Sequence, residues 1–399
     1  MSVSERETIM KKLGILVINC MIIFVLTGCW SRIEINDITI VTATAIDKMN
    51  DGKIRVSLQV AIPKQLGPVG AGGSVGSNGS TVIISETGES MMDAIRRLQE
   101  KLPRRIFFSH NRILIIGEKA AKDGVYQILD YISRVREARM RSFILFSKGE
   151  AASILRLTPV IERYSSEAIR EQEKTGVGAK IMIKDFFNML TTEGISPVAA
   201  EVAIRSEEKG RNSSKETAAI VGSAVFHKDK LVGWINDKDT RGVLWIRNEM
   251  VKGNITVSIP KEKGGGKISA ELKKGRTKVK PILVQSNVKM NVNIQAQVEV
   301  FENSSKLDLG NPKVLQYVQT LLEKDVEKRC ELALFKAQKQ YRTDIFGFGN
   351  AVYRNHPKAW KEQHKNKWTE EFPNLEVSVN PHVSIVRTGL SVKSPEMKD

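Results

Sequence analysis

The chain has 399 residues, more than one compact core usually supports, so we expect two or three domains. Its 62 basic and 45 acidic side chains give a formal charge of +17, which indicates an anionic counterpart. Acidic residues lie among the basic ones, and the sequence has no zinc finger or RNP-type aromatic strand, which argues against nucleic acid as that counterpart.

The N-terminus has the pattern of a lipoprotein signal peptide. Two lysines precede an apolar run over residues 13–26, and small residues then lead to Gly28 and Cys29. An uncleaved membrane span is the alternative, but this run forms a helix of only about 21 Å, against a hydrocarbon core of about 30 Å. We therefore predict a signal peptide over residues 1–28, cleavage between Gly28 and Cys29, and a diacylglyceryl group on the Cys29 thiol, with or without a further acyl chain such as palmitate on its amine.

Lipid at Cys29 would tie the exported chain to the outer face of a membrane. A basic protein held there gains up to about 1 kcal/mol for each Lys or Arg that lies near anionic headgroups. We therefore expect the phospholipid bilayer to be the anionic counterpart. A basic surface that is merely well solvated is the alternative.

The cysteines and histidines predict neither a disulfide nor a metal centre. Cys20 leaves with the signal peptide and Cys29 receives the lipid, so Cys330 has no partner. The five histidines show neither the HExxH pattern nor a short ligand pair with a carboxylate. The sequence also lacks a Gly-x-Ser-x-Gly motif and a paired-carboxylate signature. We expect no metal, no other cofactor and no enzymatic activity.

Strands and helices alternate in the first part of the chain. Residues 35–63 predict a hairpin with its turn at residues 50–52, and residues 67–79 predict a flexible glycine-rich surface loop. The elements expected next are a strand at 81–85, a helix opened by Ser90, a strand pair at 106–108 and 112–116, a helix at 119–133, a strand at 142–146 and a short helix at 150–155. We predict an N-terminal α/β domain over residues 29–158.

A small middle unit is predicted over residues 159–205, either by itself or as part of the N-terminal domain. It contains an amphipathic segment at 185–190 and a strand at 197–204. Residues 206–215 have no apolar side chain, which indicates either the main interdomain linker or a long hairpin loop. We assign these residues as the linker.

A C-terminal α+β domain is predicted over residues 216–399. A hairpin and further strands come first, at 219–227, 230–235, 255–259, 267–273 and 278–300. Asn311-Pro312 then opens a long amphipathic helix that runs to Tyr341 and buries Cys330 on its apolar face. The predicted fold class is multidomain α+β, with mixed or antiparallel sheets each covered by helices and the long helix packed on a C-terminal sheet.

Aromatic and glycine residues cluster after this helix. Gly347 and Gly349 flank Phe348, which suits a turn that needs positive φ. Trp360 and Trp368 are expected on one face of a short helix, as core anchors rather than a ligand cage. The candidate core or interface module consists of Phe346, Gly347, Phe348, Gly349, Trp360, Trp368, Phe372 and Pro373.

Several motifs, taken in their order and spacing, resemble one protein family. They are Cys29-Trp30 with residues 34–37, then residues 107–112, 193–197, 222–226, 344–349 and 387–389. The pattern resembles the Ger(x)C family, the lipoprotein C subunits of bacterial spore germinant receptors, over nearly the whole mature chain. The glycine-rich loop and the basic segment 261–280 depart from the family pattern.

The resemblance implies a non-enzymatic, lipid-anchored subunit needed for spore germination. Such a subunit would act through assembly or signalling with a membrane-embedded A subunit and a multi-spanning B subunit. It would lie on the outer face of the cytoplasmic membrane and, in spores, at the inner spore membrane, without a small-molecule ligand of its own. The alternative is an exported solute-binding lipoprotein that itself binds a nutrient germinant in an interdomain cleft.

Overall fold

The computed structural model describes residues 10, 12–18, 34–62, 80–159, 162–176, 178–206, 216–285 and 287–389. The predicted cleavage site at Gly28 and Cys29 and the glycine-rich loop lie outside the described residues. Residues 12–18, within the predicted signal peptide, are helical. No helix in the described part of the chain combines the length and the apolar character that crossing a membrane requires.

The described strands form two sheets, of nine and four strands. Their bounds are β1 (Ile38–Lys48), β2 (Ile54–Ala61), β3 (Thr81–Gly88), β4 (Arg105–Phe107), β5 (Ile113–Gly117), β6 (Phe143–Ser147), β7 (Val198–Ser206), β8 (Glu216–His227), β9 (Lys230–Asn236), β10 (Asn254–Ser258), β11 (Lys267–Val284), β12 (Asn287–Asn303) and β13 (Glu376–Arg387). The first sheet has the order β3-β2-β1-β5-β6-β7-β8-β9, with β4 beside β1, and the second has the order β10-β11-β12-β13.

Both sheets are mixed, as the fold class predicts. In the first sheet β1, β5, β6 and β7 are parallel neighbours, while β2 with β3 and β8 with β9 extend it by antiparallel pairing at its two ends. In the second sheet only β12 and β13 are parallel. Parallel neighbours need crossover connections, and helices supply these in the first sheet.

The helices cover these sheets. Their bounds are α1 (Met91–Lys101), α2 (Glu118–Asp123), α3 (Tyr126–Arg134), α4 (Ala151–Leu155), α5 (Ser165–Thr175), α6 (Ile183–Thr191), α7 (Asp237–Ile246), α8 (Pro312–Phe335), α9 (Phe348–Asn355), α10 (Pro357–Ala359) and α11 (Trp368–Glu371). Side chains alternate across each strand, so Leu114 and Ile116 join one buried cluster while Ile113 and Ile115 join the other. The first cluster includes α1, α3 and α6, and the second includes α4 and α5.

The long helix packs on the second sheet, as expected. Val318, Leu322 and Val326 of α8 are fully buried, and Cys330 is buried on the same face. On a partly buried side of the helix, Arg329 Nε lies 2.5 Å from Asp325 Oδ2, and the two residues form an i,i+4 ion pair.

The segment predicted as a linker or a long hairpin loop joins two strands that pair with each other. β7 and β8 are antiparallel from Val198 opposite Val225 to Ser206 opposite Glu216. The first sheet therefore continues beyond residue 205, a pairing that the hairpin alternative predicts. Residues 207–215 of the predicted linker lie outside the described residues. The division into domains stays a prediction.

Three local expectations differ from the structure. β4 and β5 do not pair with each other, because each pairs in parallel with β1. The helix expected at 119–133 is divided into α2 and α3 by Gly124, whose φ of +133° is outside the helical region. The strands expected at 267–273 and 278–300 are β11 and β12, which run farther and are separated after residue 284.

Candidate functional site

A buried carboxylate organises the aromatic module. Asp344 Oδ1 accepts the backbone N–H groups of residues 346–348 at 2.9–3.2 Å. Its Oδ2 accepts the N–H of Gly349 (2.8 Å) and the indole N–H of Trp368 (3.0 Å). Burial raises the pKa of Asp344, and the N–H donors offset part of that rise. Because both oxygens are used in this way, the carboxylate fixes the turn that leads into α9.

Aromatic rings pack around this turn. Phe346 and Phe348 stack with their centroids 5.1 Å apart, and Trp360 meets Trp368 edge-on at 5.4 Å. Phe372 lies 6.4 Å from both Phe348 and Trp368. All five rings are at most 7% exposed, so the structure places the predicted aromatic residues in the core.

The two tryptophans reach this cluster from separate turns. Trp360 begins a π-helical turn over Trp360–His364, and Trp368 is the first residue of α11. The single short helix expected to carry both residues is therefore wrong. Residues 365–367 form a turn between the two segments, so the rings meet across a break in the helix.

The glycines of the module have different roles. Gly347 has φ +78°, the positive value that the sequence indicates. Gly349 is needed for close packing instead, because a Cβ there would lie 2.7 Å from the Gly194 Cα and 2.8 Å from the Trp360 ring. Pro373 is buried directly after the cluster.

A distant loop, residues 193–197, docks on this module. Glu193 Oε2 accepts the indole N–H of Trp360 at 3.0 Å. The backbone N–H of Ser196 donates to the carbonyl oxygen of Asp344 at 2.7 Å. The loop thus joins the first sheet to the turn that follows the long helix.

An open cleft of about 710 Å³ lies beside this contact. The loop 193–197, the turn between β8 and β9, and parts of the aromatic module form its walls. Lys228 and Arg342 line it, both exposed and both with positive φ (+54° and +53°) although neither is glycine. Neither makes an ion pair with any described residue. These cations could hold an anionic group.

Three further titratable side chains line the cleft and affect its electrostatics: Glu193, His227 and Lys365. Lys365 Nζ lies 2.5 Å from Glu193 Oε1, and this pairing lowers the pKa of Glu193. Burial and the nearby Lys228 lower the pKa of His227, which therefore stays neutral near pH 7. Within the described ranges, no group of three or more His, Cys, Asp or Glu side chains is placed to hold a metal ion.

Sequence reasoning named the aromatic residues and glycines but missed the carboxylate that holds them and the cleft beside them. A local signal for Asp344 was present, since an Asp side chain often accepts N–H groups of the turn that follows it. No local signal reveals the docking of residues 193–197, because their partners lie about 150 residues away in the chain.

Comparisons with known proteins identify the family. Residues 31–204 match the model of the spore germination protein N-terminal domain, and residues 221–389 match the model "Spore germination B3/GerAC like, C-terminal". The protein named "Putative spore germination protein YfkR" of Bacillus subtilis is 30% identical over 379 residues, which cover 95% of this chain and 97% of that protein. The chain belongs to the GerAC-like family of spore germination proteins.

Further relatives agree with this GerAC-like assignment. Spore germination protein KC of Bacillus subtilis is 27% identical over 92% of this chain and 94% of its own. The crystal structure of the GerBC protein superposes with a TM-score of 0.52 over 86% of this chain and 97% of that chain, at 19% identity. That structure shares the fold. The N-terminal and C-terminal family regions meet where residues 193–197 contact the aromatic module.

Proposed function

We propose that this GerAC-like protein is the lipid-anchored C subunit of a nutrient germinant receptor. It has no catalytic activity and acts in spore germination through assembly or signalling with the A and B membrane subunits. Membership of a spore germination family over nearly the whole chain is the observation that supports this function. A lipid on Cys29 holds it on the outer face of the cytoplasmic membrane, which in spores is the inner spore membrane.

The aromatic module fits a structural role within this proposal. The Asp344 carboxylate is surrounded by N–H donors and is not free to act as a base. The docked loop 193–197 joins the two family regions through hydrogen bonds, so that they are held together at this point. A signal that reaches one region can therefore be passed to the other without a chemical step.

The Cys29→Ala substitution tests the lipid anchor. One acyl chain binds a bilayer only marginally, with a constant of about 10⁴ M⁻¹, whereas two chains hold firmly. We expect the variant to be soluble or uncleaved, to be lost from A and B subunit pull-downs, and to reduce germination through this receptor. Cys20→Ala is the matched control, since that residue leaves with the signal peptide. Normal cleavage and membrane fractionation of Cys29→Ala would contradict the assignment.

The cleft favours direct capture of a small solute as a second candidate function. Its volume lies within the range of about 300–1,000 Å³ that is typical of small-molecule sites. Two exposed cations line it, as a carboxylate ligand would need. Calorimetric titration of the mature chain with germinant amino acids separates the two functions, because a subunit that acts only through assembly gives no binding heat.

A further inference from the structure

The outer face of the second sheet carries an exposed row of cations. Successive side chains of β11 alternate across the sheet, so buried Thr277 faces the core while its neighbours Lys278 and Arg276 face outward. Lys280 continues the outward row. Two residues along a strand span about 7 Å, so these three cations are regularly spaced on one surface.

The strand register extends this row into a wider surface. On β12, Gln295, Asn293 and Asn291 stand opposite Arg276, Lys278 and Lys280 in turn. On β13, Asn380 and Ser378 stand opposite Asn293 and Asn291. We call these eight residues the basic patch: Arg276, Lys278, Lys280, Asn291, Asn293, Gln295, Ser378 and Asn380.

The patch contains no acidic side chain. None of its three cations makes an ion pair within the described chain. The carboxylates of the same sheet face lie beyond the patch. Lys273 contacts Glu271 (2.9 Å) and Glu299 (3.3 Å), Lys289 contacts Glu376 (2.7 Å), and Glu302 accepts the hydroxyl of Ser269 (3.3 Å). At the side of the patch, Glu323 of α8 lies 3.3 Å from His382.

Protection of a sheet edge explains only part of this composition. Beyond residue 272 the outer edge of β11 has no neighbouring strand, and lysines at such an edge discourage pairing with other chains. Three of the four amides, however, lie on β12, which is flanked by strands on both sides, while Asn380 lies on the edge strand β13. Asn is disfavoured in strands, and hydrogen bonds within the sheet use only part of this row: Asn380 Nδ2 donates to Asn291 Oδ1 at 2.7 Å and to Asn293 Oδ1 at 3.5 Å. The side-chain N–H groups of Asn291, Asn293 and Gln295 donate to no described residue and are available to an outside acceptor. Amide N–H groups and cations together suit phosphate oxygens.

We propose that the basic patch lies against the phosphate headgroups of an anionic bilayer. The surface is a sheet face three strands wide, with strands about 4.8 Å apart, and such an extended face can lie along a plane of headgroups. The inference extends the proposed lipid anchor, because nine residues from Cys29 to the start of β1 reach at most about 30 Å and keep the protein close to the membrane. Cations near an anionic membrane are attracted without a specific pocket.

Vesicle co-sedimentation of the mature chain from Trp30 to Asp399 tests the patch without the lipid. We expect binding to mixed phosphatidylglycerol and phosphatidylcholine vesicles at low salt, and little to pure phosphatidylcholine. The triple variant Arg276→Gln, Lys278→Gln, Lys280→Gln should lower the partition coefficient by about 100-fold, since each cation contributes about fivefold.

The matched control changes three exposed lysines of α8, on the opposite side of the sheet, by the same charge: Lys313→Gln, Lys324→Gln, Lys328→Gln. It should bind within a few-fold of the unchanged chain, and both triple variants should keep the melting temperature. The proposal would be overturned if the two triple variants lost vesicle binding equally, or if the patch variant bound as well as the unsubstituted chain. It would also be overturned if the unsubstituted chain did not bind the anionic vesicles. Binding to dextran sulfate, a soluble anionic polymer, is measured in parallel. A patch variant that loses its binding to dextran sulfate but keeps its binding to vesicles would also overturn the proposal, because the partner of the patch would then be an anionic polymer.

The result is independent of the anchor assignment. The mature chain in this assay carries no lipid. A failure to bind vesicles would therefore not change the interpretation of the Cys29→Ala fractionation. Likewise, normal membrane fractionation of Cys29→Ala would contradict the lipid anchor but not the vesicle binding.

Discussion

Replacing Trp360 by Ala should destabilise the whole GerAC-like chain. The indole is 1% exposed, packs edge-on against Trp368 at 5.4 Å and donates its N–H to Glu193 on the docked loop. Removal of a buried aromatic side chain costs about 3–5 kcal/mol, a large part of a domain's stability. If the mature chain of about 370 residues unfolds as one unit, each kcal/mol lowers the melting temperature by about 1–2 °C, so the melting temperature should fall by about 5 °C.

The assay combines thermal melting of the mature chain with spore abundance and a pull-down of the membrane subunits. We expect stability, abundance and germination to fall together in Trp360→Ala. Trp360→Phe is the matched control, because it keeps a buried aromatic ring and loses the hydrogen bond to Glu193 and part of the indole volume, so the melting temperature should fall less than in Trp360→Ala. An unchanged melting temperature with lost co-purification would refute this reasoning and make the aromatic module an interface.

Two buried titratable groups give further predictions. Burial raises the pKa of Cys330 to about 12, so thiol reagents at pH 8 should label it slowly in the native chain and rapidly after denaturation, and equal rates would contradict its burial. Burial raises the pKa of Glu173 from 4.5 to about 8, and neither carboxylate oxygen has a partner among the described residues, so the folded state favours its neutral form. This stabilisation is complete below pH 4.5 and is lost as pH rises through 8, at about 1.4 kcal/mol per pKa unit. Urea unfolding should therefore give a lower free energy of unfolding at pH 8.5 than at pH 5. Glu173→Gln, a mimic of the neutral acid, should not show this loss. An equal loss in the two chains would contradict the reasoning.

The sequence by itself determined the features that depend on local periodicity and capping. Ser90 caps α1 through a hydrogen bond from the Asp93 N–H, and Asn311 with Pro312 opens α8, as expected. The apolar face of α8 and the burial of Cys330 follow from the 3.6-residue repeat. The family assignment also followed from the sequence, because its motifs keep their order along nearly the whole chain.

Only the tertiary structure decided which distant segments meet. The pairing of β4 and β5 with β1, and of β7 with β8, depends on which sheet edges are free, and no local pattern encodes that. Asp344 became the centre of the aromatic module because folding brought five N–H donors around it, one of them from Trp368. The basic patch likewise needs the register of three strands: the charges are present in the sequence, but their alignment with the amides is a property of the sheet.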